Sequence, residues 1–231
     1  QDMELQDFLM DELMQSQEGV ILTFSEIVSN KSGETGNHVI RVAGYTAILA
    51  QKLGYPEEAV EEIRLASMMH DIGKLMVSNK IIEKPGPLTS EEFNEMKKHV
   101  VYGEKLLSST KGGILEKARI IAKQHHERWD GKGYVMGLKG DEISELAQIV
   151  AVADVFDALT SRRSYKEPWP CSLARKEIVK NRGSQFSPKC VDAFEKSYAE
   201  FLAVRKAYPD ETGINAANDG LIVSAGNKEL L

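Results

Sequence analysis

Apolar residues recur at helical spacing along most of the chain. In the first 30 residues they follow an amphipathic helical pattern through Leu5, Phe8, Leu9, Leu13, Val20, Phe24 and Ile27. Residues 34–53 repeat this pattern until Gly54-Tyr55-Pro56 interrupts it. Pro56 suits the first turn of a following helix that runs toward Met69. The pattern therefore predicts an all-α fold that begins with an N-terminal amphipathic helix.

The rest of the chain alternates between predicted helices and loops. Thr89-Ser90-Glu91-Glu92 has the form of a capped helix start, and we expect this helix to contain His99. Further helices are predicted over residues 114–126, 145–161, 172–182 and 188–204. Residues 84–89 and the glycine-rich residues 129–140 are predicted to be loops, the second of them structured. Residues 206–231 are expected to form a polar, loosely attached tail.

Composition narrows the class of protein. The chain has 231 residues, of which 42% are hydrophobic, enough for a buried core. Its net charge of −6 argues against a broad surface for DNA, RNA or an anionic membrane, but allows a local basic pocket for a phosphate ligand. No apolar run approaches the ~20 residues that span a bilayer, and no secretory signal opens the chain. Cys171 and Cys190 lack CxxC spacing, so we expect reduced thiols and a cytoplasmic protein.

Histidines and carboxylates stand in pairs that suit metal ligation. Glu34 and His38 are four residues apart, so on a helix they project from one face. A surface ion pair or a cap is the alternative explanation for that pair. His70-Asp71 follows an apolar run and is predicted to be buried, where an acid needs a cationic partner.

The remaining candidates lie farther along the chain. They are His99 in an amphipathic stretch, His125-His126 at a helix end, Glu127 and Asp130 just after it, and Asp154 within an apolar run. Each alone has an ordinary explanation, such as a helix cap or a buried hydrogen bond. Together, all five histidines of the chain with the carboxylates exceed what one zinc ion needs and suit two or three ions such as iron or manganese.

Three motifs carry a resemblance to a known family. They are HDIGK at 70–74, HHERWDGKGY at 125–134 and VADVFDALTSRRSYK at 152–166. Together they resemble the HD-GYP family of bacterial cyclic di-GMP phosphodiesterases, a subgroup of the HD metal-dependent phosphohydrolases, over roughly residues 20–205. The resemblance implies an HD-domain helical bundle with a structured GYP-type loop as the catalytic domain, residues 31–205. Residues 1–30 would be a linker or dimerisation helix joined to an upstream sensory or receiver domain, or else a helix that caps the core.

The resemblance also implies roles for particular residues. The implied metal ligands are Glu34, His38, His70, Asp71, His99, His125, His126 and Asp154. Asp71 would bridge the metals, and Lys74 beside it would neutralise phosphate charge. The implied substrate contacts are Lys74, Tyr134, Asp157, Arg163 and Lys166, although a solvated loop is the alternative explanation for the last two. Retention of Glu34 with His38 favours room for three ions.

The chain departs from the family pattern at three prolines. Its counterpart of GYP is Gly133-Tyr134-Val135, and the usual prolines after Ile143 and Arg163 are both serine. Losing proline removes rigidity from a loop without deleting a ligand. We therefore expect altered loop dynamics, partner docking or substrate preference rather than loss of chemistry.

The implied reaction is hydrolysis of a 3′,5′-phosphodiester in cyclic di-GMP by a metal-bridged hydroxide, giving pGpG and possibly GMP. Cyclic GMP-AMP or another cyclic dinucleotide is an alternative substrate. A regulatory module that binds a cyclic dinucleotide or a partner without turnover is an alternative function, and a di-iron oxygenase is a third. A homodimer is a further expectation.

Overall fold

The computed structural model describes residues 2–32, 36–109, 112–162 and 167–210. Within those ranges the chain forms eleven α-helices and two short 3₁₀ segments, with isolated β-bridges in place of strands. The predicted all-α fold is therefore confirmed. No helix in the same ranges is long and apolar enough to cross a membrane.

The helices follow one another closely. The first are α1 (Asp2–Ser32), α2 (Gly36–Lys52), α3 (Glu57–Ser67) and α4 (Asn79–Ile82), with a 3₁₀ segment, Ile72–Met76, before α4. Next come α5 (Ser90–Lys97), α6 (His99–Leu106), α7 (Gly113–Gln124) and, after the 3₁₀ segment Gly140–Glu142, α8 (Glu145–Thr160). The last are α9 (Cys171–Lys180), α10 (Pro188–Lys196) and α11 (Tyr198–Ala207).

Helix α8 lies at the centre of the bundle. It packs against α2, α7, α9 and α10, which explains why its sequence is apolar on all sides. Phe156 on α8 is fully buried and contacts the rings of Tyr45, Phe194 and Phe201. Because α8 is held from four sides, polar residues on it, such as Asp154 and Asp157, have fixed positions.

Helix α1 is part of the same core rather than a separate linker. Its second half buries Ile21 and Val28, and the hydroxyl of Ser25 donates to the carbonyl of Met68 at 2.8 Å. Lys31 donates to the carbonyls of Leu75 and Val77. These contacts bind the end of α1 to the segment that carries HDIGK, and the boundary at residue 30 stays a prediction.

Two predicted helices are each divided in the structure. Thr89 and Glu92 form the predicted capping box, but α5 ends at Lys97 and His99 begins α6. The predicted helix 188–204 breaks at Ser197, whose hydroxyl donates to the carbonyl of Ala193 and whose backbone leaves the helical region. In both places the chain turns without a glycine or proline, so composition offered no signal.

The start of the predicted tail is packed against the domain. The carbonyl of Tyr208 accepts a hydrogen bond from Arg41, and the carboxylate of Asp210 pairs with Arg41 and Arg205. Tyr208 and Asp210 are therefore held against the domain by arginines. Residues 211–231 lie outside the described ranges.

Candidate metal centre

The HDIGK segment makes a tight turn against α6. His70 and Asp71 follow the end of α3 along the chain, and Lys74 lies in the 3₁₀ segment that comes next. A Cβ atom on Gly73 would lie 1.8 Å from the carbonyl oxygen of His99, so only glycine lets the two backbones approach this closely. This approach brings Asp71 and His99 into one site.

Three buried imidazoles are oriented by the backbone that precedes them. Nδ1 of His70 lies 2.8 Å from the carbonyl of Ser67, and Nδ1 of His99 lies 2.8 Å from that of Met96. Nδ1 of His125 contacts the carbonyl of Ile121 at 3.1 Å. Since a carbonyl can only accept, each Nδ1 carries the proton, and in a neutral ring this leaves the Nε2 lone pair for a cation.

The first ligand group surrounds one oxygen of Asp71. It contains Asp71, His99, His125 and His126, which can each offer one ligand atom within 4.8 Å of the others. Nε2 of His99 and of His125 lie 3.3 and 3.8 Å from Oδ1 of Asp71.

The second ligand group contains His38, His70 and Asp154. Nε2 atoms of His38 and His70 lie 3.8 and 4.0 Å from Oδ1 of Asp154. The other oxygen of Asp71, Oδ2, lies 3.4 Å from Nε2 of His70 and 2.6 Å from Nζ of Lys74. Asp71 therefore lies between the two groups, the position that a bridging carboxylate would need.

The protonation states of three of the four histidines near Asp71 suit metal ligation. Burial lowers the pKa of His99, of His125 and, to about 3, of His126, so these rings are neutral, the form that binds a metal ion. Burial would also lower the pKa of His70, but the Asp71 carboxylate raises it to about 9. Burial would raise the pKa of Asp71, yet the charges of Lys74 and His70 lower it well below its ordinary range.

Several of these atoms are buried without a hydrogen bond in the described part of the chain. They are Nε2 of His70, His99 and His125, and Oδ1 of Asp71. Leaving buried polar atoms unpaired costs about 1–3 kcal/mol each, so a cluster of four converging on one site calls for a ligand. Imidazole and carboxylate donors fit divalent iron, manganese or zinc, and the residues present therefore fit a divalent-metal centre.

Asp157 supports the site from behind and is fully buried. Its carboxylate accepts from Nδ1 of His38 at 2.8 Å, from Ser161 at 3.0 Å and from Arg41 through two nitrogens at 2.5 and 2.9 Å. The predicted direct contact between Asp157 and substrate is inconsistent with this location. Arg41, itself fully buried, was missed by sequence reasoning because its partner lies 116 residues away.

Glu127 organises the glycine-rich loop rather than serving as a ligand. It is buried, and its carboxylate accepts from the backbone amides of Met136 and Leu138 at 2.7 and 3.0 Å. The carboxylate of Asp130 accepts hydrogen bonds from the side chain of Arg128 and from the backbone amide of Lys132. Neither acid belongs to a ligand group among the described residues.

The same loop folds back over His126. A Cβ atom on Gly133 would lie 2.4 Å from the amide nitrogen of Arg128 and 2.6 Å from the carbonyl of His126, so a larger residue would force the loop away. The ring of Tyr134 consequently stacks on His126, with ring centroids 4.9 Å apart. The structure thus brings the predicted substrate contacts Tyr134 and Lys74 to the edge of the ligand groups. Glu34, Arg163 and Lys166, also predicted site residues, lie outside the described ranges.

Comparison with protein families matches the chain to the HD domain over residues 23–190. A 3′3′-cGAMP-specific phosphodiesterase 2 from Vibrio cholerae is 41% identical over 87% of this chain and 39% of its own length. A cyclic di-GMP phosphodiesterase from Thermotoga maritima is 41% identical over 90% of this chain and 54% of its own length. The chain thus spans only about half or less of these relatives.

The fold has a counterpart among solved structures. The cyclic GMP-AMP-specific phosphodiesterase V-cGAP3 of V. cholerae superposes with a TM-score of 0.63 at 16% identity, covering 80% of this chain and 50% of that one. At this identity the likeness concerns the fold alone. The family match over residues 23–190 shows that the chain belongs to the HD domain family.

Proposed function

We propose that the chain is the catalytic domain of a metal-dependent phosphodiesterase that hydrolyses cyclic di-GMP to pGpG and possibly onward to GMP. The observation that carries the proposal is the pair of ligand groups on either side of Asp71, with Lys74 2.6 Å from the same carboxylate. The names of the relatives support a cyclic dinucleotide as the substrate class. They support cyclic GMP-AMP as the alternative substrate equally well.

The proposed ligands are Glu34, His38, His70, Asp71, His99, His125, His126 and Asp154, holding two or three ions of iron or manganese. Bound there, such ions would supply an activated water and neutralise charge on the phosphoryl oxygens. The chain itself contributes Lys74, whose ammonium is held by Asp71 next to both ligand groups and can pair with a phosphate oxygen. Arg163 and Lys166 are proposed to bind the remaining phosphate and base edges.

The proposal predicts turnover under anaerobic conditions. Protein supplied with Fe(II) or Mn(II) is expected to convert cyclic di-GMP to linear pGpG, with cyclic GMP-AMP as the competing substrate and products followed by chromatography. Chelator-treated protein is the control and is expected to be inactive. Metal binding without turnover of either dinucleotide would contradict the proposal and support the regulatory module instead.

We also propose that α1 dimerises. Its core-facing side is occupied, yet a second stripe on the other side exposes Leu9, Leu13, Val20, Phe24 and Ile27, each between 49% and 57%. The stripe is about 27 Å long at 1.5 Å per residue. Leu13, Val20 and Ile27 are spaced by seven, the repeat that keeps one face of a helix against a partner helix, so a second copy of α1 is the occupant that fits.

The dimer proposal predicts a change in mass. Leu9→Gln/Leu13→Gln is expected to convert a dimer to a monomer by light scattering, because two exposed apolar anchors are lost from the stripe. Leu106→Gln, which alters a leucine of similar exposure on α6, is the control and is expected to keep the dimer. An unchanged mass for the double variant would exclude the stripe as the contact.

The cellular location of the protein and the control of its activity are also proposed. Cys171 and Cys190 are both free thiols, which suits a reducing cytoplasm. Since the relatives are about twice as long as the matched region, we propose that a sensory or receiver domain precedes α1 and regulates the site.

A further inference from the structure

We propose that Phe93 and Lys97 on α5, together with Tyr134, form a subsite that binds one nucleobase of the substrate and its neighbouring phosphate. This inference rests on the proposed function, since it assigns the part of the substrate that reaches beyond the metal centre. The motifs did not point to either α5 residue.

A continuous row of rings leads from the ligand groups to α5. Tyr134 stacks on His126, and the ring of Phe93 meets that of Tyr134 edge to face, with centroids 6.3 Å apart and planes at 78°. Phe93 is thus one ring beyond a ring that touches a proposed metal ligand. A phosphodiester reacting at the metals would carry its nucleoside toward this row.

Phe93 is not used to build the core. It is 47% exposed, and α5 contributes no buried residue to the bundle. Single exposed apolar residues are common, but this one borders a site and offers a flat aromatic surface. Exposed aromatic rings of this kind stack on bases whatever the base identity, because every base has a π-face.

Lys97 adds a positive charge at the same place. Its Nζ lies 4.9 Å from the ring centroid of Phe93 and 5.7 Å from that of Tyr134. It makes no ion pair with a carboxylate in the ranges that the structure describes, whereas its neighbour Lys98 is paired with Glu95 at 2.5 Å. An ammonium held against two rings, with no carboxylate partner among the described residues, is suited to bind a phosphate next to a stacked base.

The start of α5 fixes this arrangement in advance. Thr89 and Glu92 close the capping box, and Glu92 also pairs with Lys84. The residue that follows Glu92 is Phe93, so its position depends on a helix end that is anchored on both sides. Side chains that are already ordered before binding lose less conformational entropy when the ligand binds, so the binding is stronger.

The test combines binding and turnover. A cyclic dinucleotide with one guanine replaced by fluorescent 2-aminopurine reports stacking by loss of emission, independently of hydrolysis. Phe93→Ala is expected to weaken binding of this probe and to raise KM for cyclic di-GMP by about thirtyfold, the middle of the range for loss of one base stack. Phe93→Trp is expected to restore both, and kcat should change less than KM.

Matched variants separate a local role from a structural one. Leu173→Ala removes an apolar side chain of nearly equal exposure on α9, at 48%, and is expected to leave binding unchanged. Lys97→Gln is expected to reduce the slope of log KM against log salt concentration by roughly the amount that one phosphate contact contributes. Lys98→Gln is expected to leave this slope unchanged. Melting temperatures of all variants check that each is folded.

The outcomes distinguish the two proposals. If the wild type hydrolyses cyclic di-GMP, and the KM and probe quenching of Phe93→Ala lie within twofold of the wild-type values, the subsite proposal is wrong and the proposed function stands. If the wild type hydrolyses no dinucleotide but quenches the probe in a Phe93-dependent way, the subsite stands and the proposed activity fails. If the wild type neither quenches nor hydrolyses, both are overturned.

Discussion

Replacing Asp71 with asparagine is expected to remove bound metal and to lower kcat for cyclic dinucleotide hydrolysis by roughly 10³-fold. Metal ions lower the activation free energy by several kcal/mol, and each 1.4 kcal/mol corresponds to a tenfold change in rate. The change keeps the side chain's shape but removes its charge. One oxygen of Asp71 faces His99 and His125, and the other faces His70 and Lys74. Because this carboxylate belongs to the first ligand group and faces His70 of the second, its loss should affect both.

Metal content by mass spectrometry and kcat should therefore fall together in the Asp71→Asn protein. Asp192→Asn is the matched control: its carboxylate pairs with Arg182 on the exposed surface, 2.7 Å away, and is expected to change neither quantity. An Asp71→Asn protein that holds the same number of ions and turns over at the wild-type rate would show that Asp71 does not bridge them.

The candidate ligands could be predicted from the sequence because their geometry is largely local. His70, His99 and His125 each direct Nδ1 at a carbonyl three or four residues earlier, so each ring is set by its own turn of chain. Gly73 and Gly133 were visible as members of motifs, although only the structure shows which backbone atoms they admit. Local hydrogen bonds of this kind leave a signature in residue spacing.

What could not be predicted depends on contacts between distant parts of the chain. Nothing near Arg41 indicates that it will meet Asp157, and nothing near Asp210 indicates that it will complete the same cluster. The sequence therefore predicts a substrate contact for Asp157, whereas the structure buries this carboxylate against His38. Phe93 was missed for the same reason, since its contact with Tyr134 joins α5 to a loop 41 residues later in the numbering.

The fold itself depends on this long-range cluster. Arg41 on α2 binds Asp157 and Ser161 at the end of α8 and the chain at Tyr208 and Asp210. It therefore ties together three parts of the chain behind the second ligand group. Because the whole side chain is inaccessible to water, its charge is compensated by these partners within the described part of the chain.

Arg41→Met is therefore expected to lower the free energy of unfolding by about 3–5 kcal/mol, the usual cost of removing one partner from a buried ion pair. Among the residues that the structure describes, the apolar replacement leaves the buried Asp157 carboxylate with His38 and Ser161 as partners. The measurement is urea denaturation of chelator-treated protein, so that bound metal does not contribute. Arg182→Met, which breaks an exposed pair with Asp192, is the control and should change stability by less than about 1 kcal/mol.

The pH dependence gives a second test of the same cluster. Burial would raise the pKa of Asp157, but the hydrogen bonds from His38 and Arg41 lower it below its ordinary value. A carboxyl whose pKa is lowered by folding stabilises the native state above its unfolded pKa, about 3.9, and loses that contribution as pH falls further. The difference in stability between wild type and Arg41→Met should therefore be large at pH 7 and should narrow below about pH 4. A difference that stays constant with pH would mean that Arg41 stabilises the fold through packing, and that its charge does not hold Asp157 in the form that orients His38.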